Sequence, residues 1–367
     1  MRRIKILVVD DAVVVRKIVG EVLAVDPELE VVGTAPNGRI ALAKLPQLAP
    51  DLVMLDLEMP ELDGLDTLRE LRRSHPKLPV IMFSTLTRQG AKATLEAMAR
   101  GASDYVTKPS SSVSLTLAID RLRAELIPKI KALCGATQAA APSPSAARCT
   151  PIATRIASSL PRRIDLVAIG VSTGGPNALS QLIGALPADL PVPVVIVQHM
   201  PPLFTRLLAE RLAESSPLPV AEAVPGAVLA PPQVWLAPGD FHVAVEQVGG
   251  DVVLRTHQQP PENSCRPAVD VLFRSVARVY AARALAVVMT GMGQDGLRGC
   301  EELRAAGAQV IVQDEATSVV WGMAGAVHRH GLAERAFPLA ELGGEIVRRA
   351  FVGRALGARL PAGQSRR

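Results

Sequence analysis

Two sets of side chains in this chain have the types and the placing that chemistry requires. The first is acidic. Asp10 and Asp11 follow the apolar run Ile4–Val9, and Asp56 ends the run that begins at Asp51. If those runs are neighbouring parallel strands, the three carboxylates meet at one sheet edge. There they repel one another unless a divalent cation stands between them, and an all-oxygen cage suits Mg²⁺. A carboxylate in such a cage can attack phosphorus, because the metal also offsets the charge of the incoming phosphoryl oxygens. Ser84 ends the run Pro79–Ser84 and Lys108 follows Ser103–Thr107, so a hydroxyl and a counter-charge would reach the same edge. A single Asp at such a junction is often only a helix cap. Five residues of these types at the ends of four strands point to a shared ligand.

The second set is nucleophilic. Gly170-Val-Ser172-Thr-Gly174 lies between an apolar run and a helix-like segment opening at Pro176. In that context G-x-S-x-G lifts a serine hydroxyl above the sheet edge. A serine hydroxyl needs a base, and His199 ends the apolar stretch Val192–Gln198 at what should be the same edge. Asp295, in Met289-Thr-Gly-Met-Gly-Gln-Asp-Gly296, could orient the imidazole, and the Gly291–Gly293 backbone could supply an oxyanion donor. On spacing alone His242 competes as the base, and Asp240 and Asp270 compete as the acid. The glycines could also cradle a dinucleotide phosphate, although Ser172 stands where that fingerprint needs glycine.

Parallel α/β layers are the elements that would place these groups. Residues 1 to about 125 alternate five apolar strands with segments of helical period, such as Val15, Ile18, Val19, Val22 and Leu23. Strands apolar throughout belong to a parallel sheet covered on both faces, with ligands at the carboxyl ends. A second alternation begins at Ile164. Its strands read Asp165–Gly170, Val192–Val197, Val220–Val224, Ala284–Met289 and Gln309–Gln313, with helices near 176–186, 202–214, 268–281, 296–306 and 338–351. Gln233–Ala237, Phe241–Gln247 and Asp251–Thr256 read as a short antiparallel excursion turning at Gly249-Gly250. The fold class is therefore α/β, as two doubly wound parallel-sheet domains at 1–125 and 164–355. A flexible basic linker, 126–163, joins them, and 356–367 form a tail.

Composition excludes several classes. Hydrophobic residues make up 49% of the chain, too many for a mainly disordered protein. The formal charge is +5, but six basic residues sit between Glu125 and Asp165, where no acid occurs. With those set aside, 34 basic residues face 35 acidic ones. That balance, with no basic recognition helix, argues against nucleic acid as a partner. No apolar run approaches the roughly 18 residues of a membrane span, so no membrane insertion is expected. Cys134, Cys149, Cys265 and Cys300 lack metal-ligand spacing and fit reduced cytoplasmic thiols.

The motifs carry a resemblance. Val8-Val-Asp-Asp11, Leu55-Asp-Leu-Glu-Met-Pro-Glu-Leu-Asp-Gly64 and Tyr105-Val-Thr-Lys-Pro109 resemble the flavodoxin-like receiver domain of two-component response regulators. This implies that Asp56 takes a phosphoryl group from a histidine kinase of the CheA type. The metal ligands would then be Asp10, Asp11, Asp56 and the Glu58 carbonyl, with Ser84 and Lys108 on the phosphoryl oxygens. Tyr105 would be the switch aromatic, and Lys108-Pro109 matches a bond that is often cis in the family. Ala12 stands where such relatives often carry Ser. Ile169–Pro176, Gln198–Thr205, Pro267–Phe273, Thr290–Gly296 and Gln313–Ser318 resemble the CheB methylesterase catalytic domain, an α/β/α hydrolase fold. Val171 and Ala324 replace that family's usual Ala and Pro. The resemblance implies a Ser172–His199–Asp295 triad, Met292 at the oxyanion, and no cofactor in this domain. It also implies hydrolysis of glutamyl methyl esters, and deamidation of glutamines, on methyl-accepting chemoreceptors, under control of Asp56 phosphorylation.

Overall fold

The computed structural model describes residues 2–108, 115–138 and 162–354. The N-terminal half runs β1 (Ile4–Val9), α1 (Val13–Ala24), β2 (Leu29–Ala35), α2 (Gly38–Leu48), β3 (Leu52–Asp56), α3 (Gly64–Ser74), β4 (Val80–Ser84), α4 (Arg88–Ala99), β5 (Asp104–Thr107) and α5 (Leu115–Gln138). Its strands pair in parallel in the order β2-β1-β3-β4-β5. Every residue of β3 and β4 is buried, as a sheet covered on both faces requires. Side-chain caps start three of the helices: Asn37 accepts from Ile40 N, Asp63 from Asp66 N and Thr87 from Gly90 N. The strand order reverses between β1 and β3, so the crevice that collects ligands opens beside Asp10 and Asp56.

The C-terminal half follows as β6 (Leu166–Val171), α6 (Gly175–Gly184), β7 (Val194–Gln198), α7 (Pro202–Ser215), β8 (Val220–Glu222), β9 (Val234–Leu236), β10 (His242–Val248), β11 (Asp251–His257), α8 (Val269–Tyr280), β12 (Ala284–Val288), α9 (Leu297–Ala305), β13 (Gln309–Gln313), α10 (Met323–Arg329), β14 (Arg335–Phe337) and α11 (Leu339–Ala350). Seven strands form a parallel sheet in the order β14-β13-β12-β6-β7-β9-β8, and β10 and β11 form an antiparallel hairpin. The chain builds outward from β6 on one side, then returns through β12 to build the other. The switch point is therefore between β6 and β12, beside Ser172.

Three readings of the sequence change. Helix α5 continues to Gln138, well past the boundary set at 125, because Leu122, Leu126, Ile130 and Leu133 keep a helical period and bury against the first sheet. Pro128 within it does not end the helix. Most of the segment read as a linker, like the tail, Cys149 and Pro109, lies outside the described residues. Strand β9 joins the main sheet in parallel with β7, which leaves only β10 and β11 antiparallel. Short elements α10 and β14 were not anticipated: seven and three residues are too few to show a period.

The two halves touch through α4 and β5 of the first and α6 and α7 of the second. Asn177 Nδ2 donates to Met98 O at 2.6 Å, Arg211 donates to Leu95 O, and the Tyr105 ring stacks on Phe204 with centroids 4.6 Å apart. Within the second half, α8 presses against β6 so closely that a Cβ at Gly170 would lie 2.4 Å from Val269 Cγ1, a fully buried and branched side chain. Gly170→Ala should therefore cost about 1–3 kcal/mol through overpacking. Calorimetry of the full chain should show a lowered melting transition, and an unchanged one would contradict this packing.

Candidate active site and phosphoryl site

At the β1–β3 crevice Asp10 and Asp56 are almost fully buried and Asp11 is exposed. Ligand oxygens of all three lie within 4.8 Å of one another. Lys108 Nζ stands 2.9 Å from Asp10 Oδ2 and 2.8 Å from Asp56 Oδ2. Both oxygens are in ion-pair reach yet neither receives a well-directed hydrogen bond. One ammonium among three carboxylates leaves negative charge and free lone pairs, so this donor set fits a hard divalent cation such as Mg²⁺. Burial raises Asp56 to about 6, with Asp10 adding to the rise and Lys108 opposing it. Glu58 is exposed two residues beyond Asp56. The Ser84 hydroxyl is engaged with α4. It accepts from Thr94 Oγ1 of α4 at 2.6 Å and donates within the start of that helix. Tyr105 is buried at the interface between the halves.

At the second switch point Ser172 follows β6, His199 follows β7 and Asp295 lies in the loop after β12. Register places Val171 beside Gln198, so Ser172 and His199 are the next residues on adjacent strands. His199 Nε2 is 2.8 Å from Asp295 Oδ2. The other ring nitrogen, Nδ1, faces Cys265 Sγ at 3.6 Å, and no hydrogen bond joins the ring to Ser172. Burial works to lower the imidazole, but its hydrogen bonds to Asp295 and Cys265 outweigh that and raise it to about 10. Burial likewise opposes charge on Asp295. His199 and the N–H groups of Val269 and Asp270 prevail and hold it below the ordinary carboxylate range. Those two N–H groups open α8, which has no side-chain cap of its own, so Asp295 occupies the anion site at a helix N-terminus.

The loop that carries Ser172 is fixed through its backbone. Ser172 N donates to Thr290 O at 3.0 Å, Gln198 Nε2 donates to Ser172 O at 2.9 Å, and Thr290 Oγ1 donates to Thr173 O at 2.9 Å. Gly174 takes a φ of 78° and Gly175 lets Gln198 approach, since a Cβ there would sit 1.9 Å from Oε1. Among the described residues no group accepts a hydrogen bond from the Met292 N–H. The competing residues play other parts. His242 is fully buried, accepts from Ala268 N through Nδ1 and faces Pro260 O through Nε2. Asp240 pairs with Arg266. Asp270 is buried and bound by Asn263 Nδ2 and Gly299 N.

The sequence reading missed Gln198, Thr290 and Asn263, which work through hydrogen bonds that leave no spacing signal. It also missed Asp104, whose Oδ2 accepts the Thr173 hydroxyl at 2.9 Å, one residue from Ser172. Beside this contact opens a cleft of about 540 Å³, lined by Tyr105 and Lys129 from the first half and by His199, Asp240, Cys265 and Arg266 from the second.

Comparison with known proteins agrees with this layout. Residues 167–346 match the CheB methylesterase family model, and residues 6–120 match the response regulator receiver domain model. A protein-glutamate methylesterase/protein-glutamine glutaminase of Trichodesmium erythraeum is 51% identical over 95% of this chain and 99% of its own length. A protein of the same description from Nocardioides is 51% identical over 95% of this chain and 96% of its own length. The crystal structure of the Thermotoga maritima CheB methylesterase catalytic domain is 39% identical, with a TM-score of 0.50, and covers 51% of this chain and 99% of its own. A catalytic domain of this kind behind a receiver, related over nearly its whole length to such enzymes, places the chain in the CheB family of receiver-linked methylesterases.

Proposed function

We propose that this chain hydrolyses glutamyl methyl esters, and deamidates glutamines, on methyl-accepting chemoreceptors, with Ser172, His199 and Asp295 as the reacting set. The observation that carries this reading is the buried His199–Asp295 pair, 2.8 Å apart, at the sheet edge next to the serine turn. Ser172 Oγ attacks the ester carbonyl. His199 takes its proton on Nδ1, which exchanges its contact with Cys265 Sγ for the serine, because Nε2 is engaged with Asp295. The Met292 N–H, free of an internal acceptor, is the donor for the oxyanion, a contact worth about 2.7–4 kcal/mol in comparable sites. His199 returns the proton to the leaving methoxide, methanol departs, and water repeats the sequence on the glutamyl-enzyme. With a glutamine side chain only the leaving group changes, to ammonia.

The receiver regulates this site in the same reading. A CheA-type histidine kinase phosphorylates Asp56. Asp10, Asp11, Asp56 and the Glu58 carbonyl would hold Mg²⁺, which supplies charge neutralisation for the incoming phosphoryl group. Lys108 pairs with the phosphoryl oxygens, and Ser84 does so after leaving Thr94. Tyr105 and Asp104 are adjacent on β5; one stacks on Phe204 and the other binds Thr173. Phosphorylation loosens this grip and frees the nucleophile loop to engage His199. Enzymes often tighten such hydrogen bonds only with substrate, so the open Ser172–His199 pair suits a resting state. In this reading the enzyme acts on the receptors' cytoplasmic helices; among the described residues no helix is long and apolar enough to cross a membrane.

Methanol release from methylated receptor membranes is the direct assay. Ser172→Ala should reduce it to background, and Asp295→Asn should lower kcat by about 10⁴, as for other triads that lose their orienting carboxylate. Activity retained by Ser172→Ala would refute the mechanism. Chelation of Mg²⁺, or Asp56→Asn, should prevent labelling by a small phosphodonor on phosphate-affinity gels while basal esterase persists. Labelling that survives both treatments would remove Asp56 from its role. Asp104→Ala should raise the unphosphorylated rate by about two- to tenfold, the worth of one hydrogen bond, and shrink the stimulation by phosphodonor. An unchanged basal rate with full stimulation would show that the contact does not restrain the loop.

A further inference from the structure

The tight turn between β11 and α8 grips both the carboxylate and the imidazole. Glu262 and Cys265 exchange backbone hydrogen bonds, and Glu262 is anchored by Arg274 of α8. Inside the turn, Asn263 Nδ2 donates to Asp295 Oδ1 at 2.8 Å and to Asp270 Oδ2 at 2.9 Å. Cys265 Sγ meets His199 Nδ1. We propose that Asn263 is a positioning residue for the esterase reaction, its amide fixing Asp295 so that Oδ2 stays on His199 Nε2. The inference rests on the triad reading above and deepens it.

The geometry makes the amide hard to replace. Asp295 Oδ1 accepts from Asn263, Asp270 N and Gly296 N, which leaves Oδ2 to His199 and Val269 N. Asp270 and Asp295 are both about 98–99% buried, and two unshielded carboxylates at that depth repel. A single NH₂ group with two donors spans them, and Asn is the side chain that can supply it from this backbone. Its φ is 51°, in the left-handed region that Asn adopts more readily than most residues. The groups that face the pair from other elements are Cys265, Asp240 and Arg266 beside His199, with Tyr105, Glu125 and Lys129 across the cleft.

Asn263→Gly separates a positioning role from a folding role, because glycine adopts a positive φ without strain while losing the amide. The full-length chain should keep its KM within about twofold, while kcat falls about ten- to a hundredfold, the range for a hydrogen bond to a charged group. The pH profile should also move. His199 must shed its proton to act as a base, so activity rises with pH. Without the Asn263 donor, more of the Asp295 charge falls on the imidazolium and the rising limb shifts to higher pH. Asn263→Asp keeps size and backbone preference but removes both donors, and should be impaired at least as much. A kcat within about twofold of wild type, or a loss matched by a fall in folded fraction with the limb unmoved, would overturn the proposal. Ser172→Ala assayed alongside keeps the two readings apart: residual esterase there would sink the triad, whatever Asn263 does.

Discussion

The catalytic half is organised around one buried negative charge. Asp295 is taken out of water almost completely, at a cost of several kcal/mol for an unpaired ion. Five donors meet it: the His199 ring, the Asn263 amide, and the backbone of Val269, Asp270 and Gly296. The two from α8 come with a helix dipole that favours an anion at this point. This arrangement ties β7, β12, α8 and the turn before it to a single atom pair. It also explains why α8 must lie so close to β6 that Gly170 has no room for a side chain.

One topological rule places both chemical sites. In each parallel sheet the strand order reverses, and the candidate groups gather at the carboxyl ends of strands at or next to the reversal. The acidic cluster sits between β1 and β3, and the serine turn beside β6 and β12. The halves then meet so that β5 of the receiver lies against the loop after β6. A single side-chain hydrogen bond, Thr173 to Asp104, spans from one module to the residue beside Ser172.

Much of this was legible in the sequence, because buried parallel strands announce themselves as unbroken apolar runs and strand ends are where acid, serine and histidine stand out. The strands carrying Asp56, Ser172 and His199 end within one residue of where the runs predict. Legibility failed where the signal is physical but not periodic. The continuation of α5 is masked by Pro128 and by an alanine-rich texture that also suits a tether. Strand β9 is three residues long, so neither its partner nor its direction is encoded locally. Gln198, Asn263, Thr290 and Asp104 contribute through hydrogen bonds to groups far away in the chain, and a polar residue that does so looks like any other. Ser84 ends β4 as its apolar run predicts, and its bond to Thr94 of α4 is one more contact without a periodic signal.

The choice of ring nitrogen has a geometric corollary. Asp295 occupies Nε2 and Cys265 faces Nδ1, so in the proposed mechanism the ring meets Ser172 through the nitrogen next to the side-chain stem. Contacted at both nitrogens, the ring has few ways to turn toward the serine. In that mechanism the remaining approach is made from the Ser172 side, where Asp104 of the receiver holds the neighbouring Thr173.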